Sequence, residues 1–179
     1  RSLFITQKDS SIHALEDIKG RRLAISDPHS TSGYVVPKQE LAEAGVHIEN
    51  KHDFSALVVA HDHDQAISLV MSGQVDASAV SSINLDENIS KGVLDQEDIR
   101  IFRTSQDIPG APLVFHTSLP RDIRQTIKDA VLSSHQFIPI GGYGGEQSKY
   151  VDPMESRDQF LEAYLRPQWG WRTLASISG

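Results

Sequence analysis

The sequence predicts an α/β fold: a mostly parallel sheet with flanking helices. Two observations carry this prediction. Short apolar stretches alternate with amphipathic segments in the order β-α-β-α-β. Glycines then stand where the first two helices should end, at Gly45 and Gly73. Parallel strands need crossover helices of this kind, so the order favours a parallel sheet over an all-α or all-β fold.

The first half of the chain supplies this alternation. Pro37 suits the first turn of a helix, and Ile67, Val70 and Met71 share one helical face. The predicted strands are residues 22–26, 54–60 and 75–80, and the predicted helices are residues 37–44 and 64–72.

The second half is less regular. Ile123, Ile127 and Val131 repeat at helical spacing after Pro120, which predicts a helix over residues 120–134. Two strand candidates precede it, and a glycine-rich turn and a last helix follow it. These are strands 99–103 and 113–116, turn 141–145 and helix 155–165.

Composition excludes several classes of function. The 179 residues carry 17 positive and 24 negative side chains, a net charge of −7, so a nucleic-acid partner is not expected. The chain has no cysteine, which excludes disulfides, cysteine-zinc sites, iron–sulfur clusters and thiol nucleophiles. No apolar run approaches the roughly 20 residues that span a bilayer.

The first candidate site is the turn from Asp27 to Gly33. It joins a predicted strand to a predicted helix, where unpaired backbone N–H groups and the helix dipole favour an anion. Ser30, Thr31 and Ser32 add hydroxyl donors, and Gly33 allows close approach of an oxyanion. The alternative is an ordinary helix cap, because serine and threonine are preferred there.

Two further candidates follow the next two strands. His61-Asp-His-Asp64 places His63 at the same sheet edge if the strands are parallel. Two histidines with nearby carboxylates also suit zinc, but the sequence offers no third ligand at motif spacing. Ser81 and Ser82 follow the third strand, with an ordinary turn as the alternative.

These pieces resemble the phosphonate/phosphite/phosphate substrate-binding proteins of ABC transporters. Residues 17–37, DIKGRRLAISDPHSTSGYVVP, are similar to the family pattern D-L-K-G-K-x-h-A-x-x-D-P-x-S-T-S-G-Y-x-x-P, where h is apolar. Residues 63–80 are similar to H-D-x-A-h-x-x-V-x-x-G-x-V-D-A-x-x-V. A weaker likeness covers Ile108-Pro-Gly-Ala-Pro-Leu-Val114 and Leu119-Pro120. The resemblance spans about residues 10–135.

The resemblance implies a type 2 periplasmic-binding-protein fold, in which two α/β lobes hold a ligand between them. Family members carry a first-lobe segment ahead of the position of Arg1, so the first lobe is expected to be incomplete and the chain alone to bind weakly or not at all. Residues 1–105 would form the ligand-binding lobe, and residues 106–179 the return segment and tail.

The resemblance also implies a site for a small oxyanion, without a metal or cofactor. The implied ligand-binding residues are Ser30, Thr31, Ser32, Gly33 and His63, with Tyr34, Ser81 and Ser82 as additional candidates. Asn84 and Ala111 stand near positions where some members carry acids for a substrate amine, which argues against an aminoalkylphosphonate. His63 is the one titratable donor, so binding is expected to weaken as pH rises through about 6.5.

The function expected from the resemblance is non-enzymatic binding in the periplasm, with an ABC transporter permease as partner. The alternative is an extracytoplasmic sensor domain of a histidine kinase, whose partner would be the kinase membrane segment. A thiamine-pyrimidine-synthase-like enzyme and the cytoplasmic effector domain of a transcription regulator share the general architecture and are less favoured.

Overall fold

The computed structural model describes residues 1–108, 113–138, 140–142, 145–147 and 149–152. The chain divides into two compact units, Arg1–Ile108 and Pro109–Gly179. No helix in these described ranges is long and apolar enough to cross a membrane.

A five-stranded sheet forms the centre of the first unit. Its strands are β1 (Ser2–Gln7), β2 (Arg22–Ile25), β3 (Ala56–Val59), β4 (Ala77–Ser81) and β5 (Ile99–Thr104), in the spatial order β3-β2-β4-β1-β5. β2 is parallel to β3 and to β4, whereas β1 is antiparallel to β4 and to β5. Four strands therefore run one way and β1 runs against them, which confirms the predicted mostly parallel sheet. β1 lies outside the predicted strands.

Helices connect the parallel strands. They are α1 (Val36–Glu43), α2 (His63–Met71) and α3 (Ser82–Ser90), and a π-helical turn at Thr31–Val35 leads into α1. The predicted β-α-β-α-β order is confirmed by β2, α1, β3, α2 and β4, with boundaries shifted by one or two residues. α3 lies outside the predicted helices.

Both faces of the sheet are covered. Leu3 and Ile5 of β1 belong to an apolar cluster with the α2 residues Ala66 and Val70. Phe4, between them, belongs to a second cluster that includes Leu41 of α1. Alternate strand residues point to opposite faces, so the two clusters are the two sides of one sheet. This explains why every residue of β4 is buried.

The second unit contains α4 (Arg121–Ser133), which lies within the predicted helix 120–134. Two short strands, β6 (Ile140–Gly142) and β7 (Gly145–Gln147), pair antiparallel where the sequence predicted a turn. Residues 113–116, predicted as a strand, form none in the part of the chain that the structure describes. The predicted helix 155–165 lies outside the described residues.

Candidate anion-binding site

Three helical segments begin at one edge of the sheet. The π-helical turn follows β2, α2 follows β3 and α3 follows β4, and these three parallel strands are neighbours. A side-chain oxygen caps each start: Ser30 Oγ accepts from the Gly33 amide at 3.0 Å, Asp62 Oδ1 from the Gln65 amide at 2.6 Å and Ser81 Oγ from the Ile83 amide at 3.3 Å. First-turn amides and their partial positive charge therefore collect at this edge.

His63 lies where these segments meet. It is the first residue of α2, and its ring is buried. Nδ1 lies 3.1 Å from the Ser81 amide nitrogen and 2.9 Å from Ser26 Oγ, and Nε2 lies 3.3 Å from Ser30 Oγ. One imidazole thus contacts the ends of β2 and β4 and the turn before α1. Of the residues expected to converge, which are Ser30, Thr31, Ser32 and His63, the structure shows direct contact between Ser30 and His63, and the Ser81 amide joins them.

The charge state of His63 differs from the sequence expectation. Burial lowers the pKa of the imidazole below its ordinary value, and the carboxylates of Asp64 and Asp62 oppose this only in part. The neutral ring is therefore favoured more strongly than in an exposed histidine, and its Nδ1 faces an amide that can only donate. The lowered pKa moves the expected weakening of binding to a pH below about 6.5, and the pH dependence of binding stays a prediction.

The turn is attached to the end of β2. The Ser26 amide donates to the Gly33 carbonyl at 3.2 Å, and the Ser2 hydroxyl donates to the Ser32 carbonyl at 2.6 Å. A side chain at Gly33 would place its Cβ 2.5 Å from Ser26 Cβ and 3.0 Å from His63 Cε1. Glycine is thus required here by close packing, a reason separate from the predicted approach of an oxyanion.

The remaining predicted residues lie around this centre. The hydroxyls of Thr31 and Ser32 are half-buried, and neither has a hydrogen-bond partner in the part of the chain that the structure describes. Tyr34 packs against the second apolar cluster, which includes Phe4 and Leu41. Lys38 Nζ lies 5.9 Å from the centre of the Tyr34 ring. Ser82 begins α3 and is half-buried.

Sequence reasoning missed two groups that hold His63. Ser26 is buried at the end of β2, and its only signal is a hydroxyl that ends an apolar run. The Ser81 amide has no sequence signal, because every residue but proline carries one.

Across the described ranges, no cluster of three or more histidine, cysteine, aspartate or glutamate side chains could hold a metal ion. His61, the other histidine of the motif, is exposed and adopts a φ of 73°, in the left-handed region.

Solved structures show the same architecture. A protein from Xanthomonas citri, solved bound to ATP, matches with a TM-score of 0.72 at 19% identity, covering 96% of this chain and 68% of that one. A binding protein component of an ABC phosphonate transporter from Pseudomonas aeruginosa matches with a TM-score of 0.65 at 23% identity, covering 90% and 56%. At these identities the likeness shows the fold alone.

The curated sequence relatives are named as binding proteins for phosphonates or phosphite. The phosphonates-binding periplasmic protein of Escherichia coli is 29% identical over 136 residues, which are 72% of this chain and 38% of that protein. The probable ABC transporter phosphite binding protein of Prochlorococcus marinus is 29% identical over 112 residues, 57% of this chain and 36% of that protein. The chain thus spans well under half the length of these curated relatives.

The family described as ABC transporter, phosphonate, periplasmic substrate-binding protein matches residues 1–164. The chain belongs to this family, which confirms the family that the sequence motifs indicated.

Proposed function

We propose that this chain binds a small oxyanion, such as a phosphonate, phosphite or phosphate, as the substrate-binding component of an ABC transporter. The convergence of three helical N-termini on His63 is the observation that carries the proposal. The ligand would contact five residues of this edge: Ser30, Thr31, Ser32, Gly33 and His63. Tyr34, Ser81 and Ser82 are additional candidates.

Neutral groups supply the attraction for the anion. Neither residues 27–34 nor residues 60–65 contain lysine or arginine, and the chain as a whole is acidic. Oriented first-turn amides and hydroxyls can hold an oxyanion without a cation, as at other helix N-termini. The hydroxyls of Thr31 and Ser32 support this role because they have no partner within the described ranges.

The named relatives favour a transport role. The E. coli protein and the Prochlorococcus protein are named for binding phosphonates and phosphite, and the family is a periplasmic one. We therefore infer periplasmic location, a permease partner and binding without catalysis or a cofactor. The same names favour a transporter receptor over the sensor domain of a histidine kinase or an enzyme.

Calorimetry with phosphite, methylphosphonate and phosphate tests the proposal, with Thr31→Val as the variant. Valine matches threonine in shape and removes only a hydroxyl that holds nothing internally. Losing one hydrogen bond to a charged ligand costs about 1.5–3 kcal/mol, so affinity should fall by roughly 10- to 150-fold.

Ser90→Ala on the exposed end of α3 is the matched control and should leave affinity unchanged. The titrations use the protein with both lobes of the fold complete, because the chain alone is expected to bind weakly or not at all. The proposal fails if that protein binds none of the three anions, or if its Thr31→Val variant binds like the unmodified protein.

A further inference from the structure

The two ring nitrogens of His63 face different surroundings. Nδ1 faces the Ser81 amide at 3.1 Å and the Ser26 hydroxyl at 2.9 Å, whereas Nε2 faces the Ser30 hydroxyl at 3.3 Å. A hydroxyl can donate or accept, but a backbone N–H can only donate. The Ser81 amide therefore requires Nδ1 to act as an acceptor, which means that Nδ1 carries no hydrogen.

The Ser81 amide is committed to this contact. Ser81 lies at the end of β4 opposite Ser2 of β1, and it is buried. Its N–H donates to His63 Nδ1. A hydrogen on Nδ1 would meet the amide hydrogen and leave a buried donor unpaired, which native structures avoid.

A competing arrangement uses Ser26. Nδ1–H would donate to Ser26 Oγ, whose own hydrogen would go to the Ala79 carbonyl 3.1 Å away. That chain satisfies His63 and Ser26 but leaves the Ser81 amide without an acceptor. With the proton on Nε2, the Ser81 amide is paired, and the Ser26 hydroxyl can donate to Nδ1 or to Ala79.

We propose that the Ser81 amide is the positioning group that holds His63 as a neutral ring with its proton on Nε2. The anion site then presents one uncharged N–H whose direction is fixed by the ends of β4 and β2. The consequence for the ligand rests on the proposed function, whereas the position of the proton does not.

The groups around the ring agree with a neutral state. The charges that bear on His63 are the carboxylates of Asp62 and Asp64 on its own segment, and they favour the imidazolium. Among the described residues, the hydrogen-bond partners of the ring are uncharged: the hydroxyls of Ser26 and Ser30 and the Ser81 amide. Burial outweighs the two carboxylates and lowers the pKa of the ring.

Long-range ¹H–¹⁵N correlation spectra of the ligand-free chain test the position of the proton. The His63 ring signals are assigned by their loss in His63→Asn. We expect an unprotonated Nδ1, a coupling from the Ser81 amide to Nδ1, and a titration midpoint below about 6.5. Ser26→Ala should leave the proton on Nε2.

An Nδ1–H signal in the unmodified chain, or a proton that moves from Nδ1 to Nε2 in Ser26→Ala, would overturn the proposal in favour of the Ser26 arrangement.

Two substitutions of His63 distinguish the role of Nδ1 from the role of Nε2. Asn places its amide oxygen where Nδ1 stands and can accept from the Ser81 amide, but it does not reach the position of Nε2. Gln reaches that outer position with an N–H donor and leaves the Ser81 amide unpaired. His63→Asn should therefore unfold at higher urea concentration than His63→Gln, and it should bind phosphite at least about 10-fold more weakly than His63→Gln.

Equal unfolding midpoints for the two variants, or the reverse order, would overturn the role of the Ser81 amide. Failure of the protein with both lobes complete to bind phosphite would instead refute the proposed function, and the spectra would still report where the proton lies.

Discussion

Replacing Gly33 by alanine is expected to destabilise the chain by about 2–3 kcal/mol, the upper part of the range of roughly 1–3 kcal/mol for an overpacked site. The new Cβ would lie 2.5 Å from both Cβ and Oγ of Ser26, and 3.0 Å from Cε1 of His63. Ser26 cannot withdraw freely, because its amide bonds the Gly33 carbonyl at 3.2 Å and its hydroxyl lies against the ring. Gly33 has no positive φ, so the loss comes from packing and not from backbone strain.

Urea denaturation followed by far-ultraviolet circular dichroism measures this loss, and the thermal midpoint should fall by roughly 4–12 °C. Ser26→Gly removes the obstructing atoms, so the double variant should lose less stability than the sum of the two single variants. Gly92→Ala is the control for backbone strain without crowding. Gly92 has a φ of 69°, and no atom lies within 4 Å of the Cβ that alanine would add. Additive losses, or a Gly33→Ala loss no larger than that of Gly92→Ala, would refute the packing argument.

Three further outcomes are expected. As pH falls from about 6.5 toward the lowered pKa of His63, the free energy of unfolding should fall by up to about 1.4 kcal/mol per pH unit. The reason is that only the unfolded chain binds the proton in this pH range. Urea unfolding at a series of pH values measures this slope, and His63→Asn should lack it. Asp76→Asn should cost about 1–2 kcal/mol at neutral pH, since Asp76 accepts from the Arg22 backbone at 2.7 Å and from its guanidinium at 2.6 Å. Because this ion pair lowers the pKa of Asp76, the difference from the unmodified chain should disappear as pH drops below about 3.9, and a persistent difference would contradict the assignment. His61→Gly should leave stability unchanged or raise it by up to about 1 kcal/mol in thermal unfolding, because an exposed histidine there adopts a φ of 73°.

The parallel part of the fold was predictable because its signals are local. Each crossover helix ends at a glycine, Gly45 or Gly73, that adopts positive φ in the structure. β1 was missed because its partners, β4 and β5, lie more than 70 residues away in sequence. α3 was missed because Ser-Ile-Asn-Leu-Asp-Glu-Asn-Ile-Ser has weak helix propensity and is stabilised by packing of Leu85 and Ile89 in the core.

The candidate site also has a part that the sequence predicted and a part that it did not. Ser30 and His63 were predictable as neighbours because carboxyl ends of adjacent parallel strands share an edge. The contacts that orient the ring join residues 37 and 18 positions apart, from Ser26 and from the Ser81 amide, and leave no local pattern. The rule that glycine marks a residue with positive φ also fails at two positions. Gly33 is required by close packing although its φ is not positive, and His61 has a positive φ although it is not glycine. The division into functional segments 1–105 and 106–179 stays a prediction.

A crystal structure of this chain grown with methylphosphonate tests the central claim most directly. One phosphonate oxygen should lie within about 3.2 Å of His63 Nε2, and others should accept from the hydroxyls or amides of Thr31 and Ser32. A methylphosphonate bound beyond hydrogen-bond distance of all three residues would contradict the claim that this sheet edge is the anion site.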